Sequence, residues 1–183
     1  MTYGREMIDL ARECEVVIIP DGTKMTLAAG TQVRIMQSLG GTFTVATERG
    51  QMVRVSAADA DAIGKKLENQ NITNLNGQDK SVEEQVWDQL KTCYDPEIPA
   101  NIVDLGLVYL CEVKLLEDAS HKVLIRFTLT APGCGMGDVL KSDILEKIKA
   151  ISSVSELDID TTFEPQWDQS LMSESAKLQL NLM

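Results

Sequence analysis

Two successive runs of alternating apolar residues constrain the fold of this chain more than any other feature. Apolar side chains dominate every second position from Leu107 to Leu115, and again from Val123 to Leu129. A period of two is typical of strands that bury one face. Because the connection between them, 116–122, is short, we predict that the two runs form an antiparallel β-hairpin.

Helices are predicted on both sides of this hairpin. Ser81-Val-Glu-Glu84 is a capping-box pattern, and the helix that begins there has to end before Pro96. After Asp138, apolar residues recur at helical spacing through Ile151, and 156–163 is typical of a third strand. Helix, hairpin, helix and strand predict a two-layer α/β domain, with a tail that ends in a short helix.

The N-terminal part of the chain has a different pattern. Short strand-like runs separated by glycine turn signals predict a small antiparallel β-barrel-like domain, so the whole chain belongs to the α+β class. A capping pattern at 56–59 predicts a closing helix, and the spacing of Met7, Leu10 and Ala11 predicts another helix at the start. Residues 69–79, rich in Asn, Gln and Gly, predict a linker between domains 1–68 and 80–183.

The charge distribution limits the classes of partner. The chain carries a net charge of −11, and residues 78–183 contain nine Lys and Arg against nineteen Asp and Glu. Such an acidic field argues against nucleic acid and favours basic protein surfaces or metal cations. The chain has no apolar run of membrane-spanning length and no signal-peptide layout, so we expect a cytoplasmic protein that does not enter a membrane.

The candidate site centres on Cys134, which lies between glycines where a strand passes through a Pro-Gly turn into a helix. The hairpin register brings Asp104 and the turn with Asp95 and Glu97 to the same sheet edge. It also places Thr128 and Thr130 on the polar face of the adjoining strand. A helix N-terminus favours a thiolate, whereas carboxylates disfavour it, and a bound metal ion resolves that conflict. The alternative is that Cys134 only fills a glycine-rich helix start.

The other reactive side chains fit this site less well. Cys93 and Cys111 share faces with apolar residues, and Cys14 has no patterned partner, so we expect all three to have packing or other non-functional roles. His121, the only histidine, lies in the hairpin turn at the opposite end of the strands. A cysteine–histidine pair within one subunit is therefore disfavoured.

Three motifs together carry a resemblance to a known family. Asp95-Pro-Glu-Ile-Pro99, Asn101-Ile-Val-Asp-Leu-Gly-Leu107 and Thr128-Leu-Thr-Ala-Pro-Gly-Cys134 resemble the iron–sulfur cluster assembly domain family, and Gly135 stands where many relatives have proline. Motifs in the N-terminal part and in the tail resemble more narrowly the SufT-like proteins of that family: Ile19-Pro-Asp-Gly22, 37–44, 59–64, Pro165-Gln-Trp167 and 172–176. The resemblance implies a non-catalytic role in maturing iron–sulfur proteins, with Cys134 as the functional cysteine. It also implies iron–sulfur assembly proteins and apo client proteins as partners.

One thiolate is too few ligands for a stable cluster, which usually has four. We therefore expect a transient iron–sulfur cluster or iron, shared with a partner or across a homodimer, with Cys134 as the metal ligand. Two alternatives remain open. One is an adaptor whose acidic surface docks clients without binding metal, and the other is a thiol enzyme that uses His121 from a neighbouring subunit.

Overall fold

The computed structural model describes residues 7–65, 80–95, 97–131 and 135–182. The chain divides into two compact units, Met1–Leu75 and Asn76–Met183. The predicted linker at 69–79 falls outside the described residues, so its prediction is neither confirmed nor contradicted. Within the described part, no helix is long and apolar enough to cross a membrane.

The described residues of the first unit form six strands: Ile8–Asp9 for β1, Cys14–Ile18 for β2, Lys24–Leu27 for β3, Gln32–Leu39 for β4, Thr42–Thr47 for β5 and Met52–Val55 for β6. These strands make one antiparallel sheet in the order β1-β4-β5-β6-β2-β3. The helix predicted within 1–13 is wrong in its described part, 7–13, because Ile8 and Asp9 pair with β4 instead.

Alternation in the strands builds the core of this unit. In β4, Val33 and Ile35 are buried whereas Arg34 and Met36 are exposed, as a period of two requires. The closing helix is a 3-10 helix, Ala57–Ile63, which buries part of its own apolar surface in the same core.

The second unit has the predicted order of helix, hairpin, helix and strand, followed by a structured tail. The first helix begins with the predicted capping box between Ser81 and Glu84. The tail contains a 3-10 turn at Gln169–Leu171 and a short final helix. The other bounds are Val82–Leu90 for α1, Val108–Leu115 for β7, His121–Phe127 for β8, Gly137–Lys149 for α2, Val154–Thr161 for β9 and Glu174–Gln179 for α3.

The three strands of this unit form a sheet in the order β7-β8-β9. Strands β7 and β8 form the predicted antiparallel hairpin, with Leu115 opposite His121 and Val108 opposite Phe127. Strand β9 runs parallel to β8 and returns from α2. Buried residues of α1 and α2 share one core with Val123, Ile125 and Phe127 of β8, so both helices cover one face of the sheet.

Candidate functional site

The loop between α1 and β7 lies at the sheet edge where β8 ends. The amide of Thr128 donates a hydrogen bond to the carbonyl of Leu107 at 2.8 Å, and the amide of Thr162 donates to the carbonyl of Phe127 at 2.8 Å. The start of β7 and the ends of β8 and β9 therefore meet at one edge. The predicted juxtaposition of the Asp104 loop with the segment that leads to Cys134 is confirmed as far as Thr128.

Asp95 organises the acidic turn at the beginning of this loop. Its side chain is buried, and its Oδ1 accepts hydrogen bonds from the amides of Glu97 and Ile98, both at 2.9 Å. This arrangement is an Asx turn, in which a side chain replaces a backbone acceptor. Glu97 is exposed, and among the described residues its side chain makes no hydrogen bond to the turn. Of the two carboxylates in this turn, that of Asp95 is buried and holds the turn together, whereas that of Glu97 faces solvent.

Asn101 and Asp104 form a second polar turn in the same loop. Asn101 Oδ1 accepts from the amides of Val103 and Asp104, at 3.1 and 2.8 Å, and its Nδ2 donates to Asp104 Oδ2 at 2.6 Å. The other carboxylate oxygen, Asp104 Oδ1, accepts from Ser173 Oγ at 3.2 Å. Both oxygens of Asp104 are therefore engaged in holding the loop and the tail.

The C-terminal tail contacts this loop at several points. The amide of Ser173 donates to the carbonyl of Asp104 at 2.8 Å, and Trp167 Nε1 donates to the carbonyl of Leu105 at 2.8 Å. Further along, Gln179 Nε2 donates to the carbonyl of Pro99 at 2.6 Å. These bonds join residues more than sixty positions apart, which sequence periodicity could not pair. In the sequence, the only signs of these contacts are the tryptophan, Trp167, and the serine that caps α3, Ser173.

Gly106 is the position of closest approach between loop and tail. Its φ is +69°, and a Cβ placed on it would lie 2.2 Å from the carbonyl oxygen of Leu171. Real Cβ atoms do not approach backbone that closely, so only glycine fits the observed packing. The backbone of the tail therefore packs directly against the loop at this position.

The two threonines that precede the candidate cysteine, Thr128 and Thr130, differ in burial. Thr130 is half-buried, whereas Thr128 is 1% exposed. Thr128 Oγ1 is buried and has no hydrogen-bond partner within the described part of the chain. An unpaired buried hydroxyl costs free energy and calls for an explanation. The predicted polar face is therefore wrong for Thr128, which is buried, whereas Thr130 is half-buried. The buried hydroxyl makes Thr128 a stronger candidate than Thr130.

Cys134 itself lies outside the described residues, together with Pro132 and Gly133. Its described flanks are close to each other, because a Cβ built on Gly137 would lie 3.0 Å from Leu129 Cδ1. Helix α2 begins at Gly137, and its N-cap residue, Met136, makes no capping hydrogen bond with its side chain. The described flanks thus meet at the start of α2, while the assignment of Cys134 to the site stays a prediction.

The other three cysteines are packing residues. Cys93 is fully buried in the core of the second unit, and Cys14 is 2% exposed in the core of the first. Cys111 packs against the core of the second unit, and burial, with a smaller effect from Glu83, raises the pKa of its thiol to about 11. Burial also raises the pKa of Cys14. A raised pKa leaves little thiolate at neutral pH, so these two thiols are poor metal ligands.

His121 lies where the sequence places it. It begins β8 opposite Leu115, whereas the candidate edge is at the other end of that strand. Its Nδ1 is buried without a hydrogen-bond partner in the described ranges. Within one subunit, His121 cannot serve as the base for a group at the candidate edge.

The described residues do not assemble a metal site on their own. Residues 7–65, 80–95, 97–131 and 135–182 contain no group of three or more His, Cys, Asp or Glu side chains able to hold a metal ion. The geometry explains why, since Asp95 and Asp104 direct oxygens to backbone amides and to the tail. The oxygens of Asp95 and Asp104 that are described here serve the hydrogen bonds of the loop itself.

The family model for iron–sulfur cluster assembly proteins matches residues 83–159. The "Fe-S protein maturation auxiliary factor" of Porphyromonas gingivalis is 39% identical over 109 residues, covering 60% of this chain and 100% of the relative. The factor YitW of Bacillus subtilis is 29% identical, covering 57% of this chain and 98% of that protein. SufT of Staphylococcus aureus is 31% identical, covering 48% of this chain and 96% of the relative.

These matches have a clear position in the fold. The residues matched by the family model run from α1 into β9 and lie entirely in the second unit. The loop of Asp95 and Asp104 and the described flanks of Cys134 are within the match, whereas Trp167 and Ser173 of the tail come after it. The likeness to the Porphyromonas protein spans that relative completely at 39% identity. The chain belongs to the iron–sulfur cluster assembly protein family.

Proposed function

We propose that this protein is a non-catalytic auxiliary factor in the maturation of iron–sulfur proteins. The observation that carries the proposal is its likeness to three proteins named as Fe–S protein maturation auxiliary factors, one of them along its whole length. Its partners are iron–sulfur assembly proteins and apo client proteins. The cluster or iron is cargo that passes through, and the protein works without chemical turnover.

We propose further that Cys134 is the ligand that holds the cargo. Two of the other thiols have raised pKa values, and the third is fully buried in the core. Cys134 comes three residues before Gly137, where α2 begins without a side-chain cap from Met136. The amides and the dipole at a helix N-terminus stabilise a thiolate. Glu97, exposed in the acidic turn, is the one predicted carboxylate that is free to face cargo, while Asp95, Asp104 and Thr130 shape the edge around it.

The shortage of ligands indicates how the cargo is held. A cluster usually takes four ligands, and the described residues contain no group that could supply the remainder. The missing ligands then come from a second copy of the chain, a small thiol or the client. Such shared ligation suits brief transfer better than storage, because the cargo leaves when the partner's ligands leave.

Anaerobic reconstitution tests this assignment. Wild type, Cys134→Ala and the matched control Cys111→Ala are loaded with iron and sulfide, and bound iron, bound sulfide and activation of an apo iron–sulfur enzyme are measured. We expect Cys134→Ala alone to lose both cargo and activation. Equal loading and equal activation in all three proteins would refute the role of Cys134.

A second function is supported by the same carboxylate geometry. Because Asp95 and Asp104 are used in hydrogen bonds, the acidic edge could act as an adaptor that docks clients without touching metal. Client binding that survives both Cys134→Ala and chelation would favour the adaptor. Client binding that needs the thiol and the metal would favour cargo transfer.

A further inference from the structure

An open groove lies beside the candidate edge, between the start of β7 and the tail. Its volume is about 790 Å³, within the range of about 300–1,000 Å³ that is typical of ligand sites. One wall comes from Glu164, Pro165 and Leu171 of the tail, and the floor comes from β7, the end of β8 and the end of β9. Gly106 belongs to its lining and follows Asp104 by two residues, so the groove adjoins the loop of the candidate site.

Hydrogen bonds fix the walls of this groove. Tyr109 Oη donates to the carbonyl of Pro165 at 2.9 Å, which ties the tail to β7. Trp167 Nε1 holds the tail to Leu105, and the tail backbone at Leu171 packs directly on Gly106. A preformed groove loses little conformational entropy when it is filled.

The charges in the groove favour a cation. Its one basic side chain, Arg126, is paired with Asp158 at 3.1 Å. Asp160 and Glu164 also line the groove, and neither has an ion-pair partner among the described residues. They lie in a unit with nine basic and nineteen acidic residues, whose field repels anions. No described group of three ligating side chains includes them, which argues for an organic cation rather than a metal ion.

The same groove offers apolar surface next to its carboxylates. Leu171, which is 43% exposed, lines the groove together with Val108 and Pro165. The aliphatic stems of lysine and arginine pack on such surface while their charged ends reach carboxylates. Exposed apolar residues beside unpaired charges are therefore suited to a peptide that carries both features.

We propose that this groove docks an extended segment of a protein partner in which a lysine or arginine neighbours an apolar residue. Asp160 and Glu164 receive the basic side chain, and Leu171 contacts the apolar one. This inference rests on the proposed function, since it names the surface by which a client or assembly protein is held beside the cargo edge.

A peptide titration tests the groove without iron or sulfide. The ¹⁵N-labelled full chain is titrated with a capped hexapeptide, Gly-Leu-Arg-Leu-Lys-Gly, and with the same peptide in which both basic residues are replaced by glutamate. We expect only the basic peptide, and not the acidic one, to change the NMR chemical shifts of the amide groups of Gly106 and Tyr109. The double variant Asp160→Asn/Glu164→Gln should bind it about tenfold more weakly, whereas Glu117→Gln, which removes an exposed charge at the far hairpin turn, should bind as wild type.

A charge reversal completes the test. Asp160→Lys/Glu164→Lys should reverse the preference and bind the acidic peptide. The proposal that this groove binds a basic segment would be refuted by either of two results. One is equal affinity of wild type for both peptides, and the other is undiminished binding by the Asn/Gln variant with an otherwise native spectrum. The Asn/Gln variant should also retain wild-type iron loading while activating clients less well. Failure of wild type to load iron would instead contradict the proposed function and leave the peptide result intact.

Discussion

Ser173 caps α3 and binds Asp104 with the same hydroxyl group. Its Oγ accepts from the amide of Ala176 at 3.1 Å and donates to Asp104 Oδ1 at 3.2 Å, while its amide donates to the carbonyl of Asp104 at 2.8 Å. The start of the last helix and the acidic loop are thus one hydrogen-bonded unit, although 69 positions separate the two residues.

Ser173→Ala should loosen this unit. The change removes a helix cap and a hydrogen bond to a carboxylate, and we expect a loss of about 1–2 kcal/mol in the free energy of unfolding. Urea unfolding can be followed by tryptophan fluorescence, because both tryptophans, Trp87 and Trp167, lie in the second unit. Ser170→Ala in the same tail is the matched control and should change little. Equal loss in both variants would contradict the role of Ser173.

Gly106→Ala should be more damaging than an ordinary glycine substitution. At Gly30, where φ is also positive and nothing lies within 4 Å of an added Cβ, alanine should cost only the left-handed conformation, about 1–2 kcal/mol. At Gly106 the methyl group also collides with the backbone of Leu171, so we expect about 3 kcal/mol or more. Chemical unfolding followed by circular dichroism measures both variants. Similar losses of unfolding free energy at the two positions would show that the tail can move away from residue 106 without destabilising the protein.

Two substitutions at Asp95 separate its hydrogen bonding from its charge. Asp95→Asn keeps an Oδ1 that can accept from the amides of Glu97 and Ile98, whereas Asp95→Ala leaves them without that acceptor. We expect alanine to destabilise the protein by about 1–3 kcal/mol and asparagine by less than about 1 kcal/mol. Urea unfolding gives both values. If asparagine is as costly as alanine, the charge itself, and not the Asx turn, stabilises the loop.

The hairpin register shows which parts of this molecule could be predicted from sequence. Alternation from Leu107 and from Val123 placed the two strands and hence the common edge of the acidic loop and the end of β8. Capping residues such as Ser81 located the first helix for the same reason, since local chemistry sets local structure. The packing of Cys93 and Cys111 followed from their positions on apolar faces.

The contacts of the tail were beyond such reasoning. Trp167, Ser173 and Leu171 meet the acidic loop only after the sheet has formed, and no local period encodes that meeting. For this reason the hydrogen bonds of Asp104 to Asn101 and Ser173 were not predicted. Its relation to Cys134, which lies outside the described residues, stays a prediction. At the N-terminus, apolar spacing at Met7–Ala11 suggested a helix, but pairing with β4 prevailed over that weak pattern.

Cys111 should make the stability of the second unit depend on pH in the alkaline range. Burial raises the pKa of its thiol from an ordinary 9.0 to about 11. Its contribution is therefore fully present below pH 9 and is lost as pH rises toward 11, because the unfolded state ionises first. The loss should be on the order of 1 kcal/mol between pH 8.5 and 10.5. Urea unfolding of wild type and Cys111→Ala at both pH values measures it, and an identical pH dependence in the two proteins would exclude this thiol as the cause.

Thr128→Val should raise stability and lower function. Valine has nearly the same shape as threonine and removes the buried Oγ1 that has no partner in the described ranges, so we expect a gain of about 1 kcal/mol in the free energy of unfolding. If the hydroxyl is kept for contact with cargo, client activation should fall at the same time, as happens where function maintains a destabilising group. Urea unfolding and the activation assay measure the two effects. Thr130→Val, two residues closer to Cys134 but half-buried, is the matched control, with little gain in stability expected. A stabilised Thr128→Val protein with wild-type activation would make the buried hydroxyl a mere packing cost.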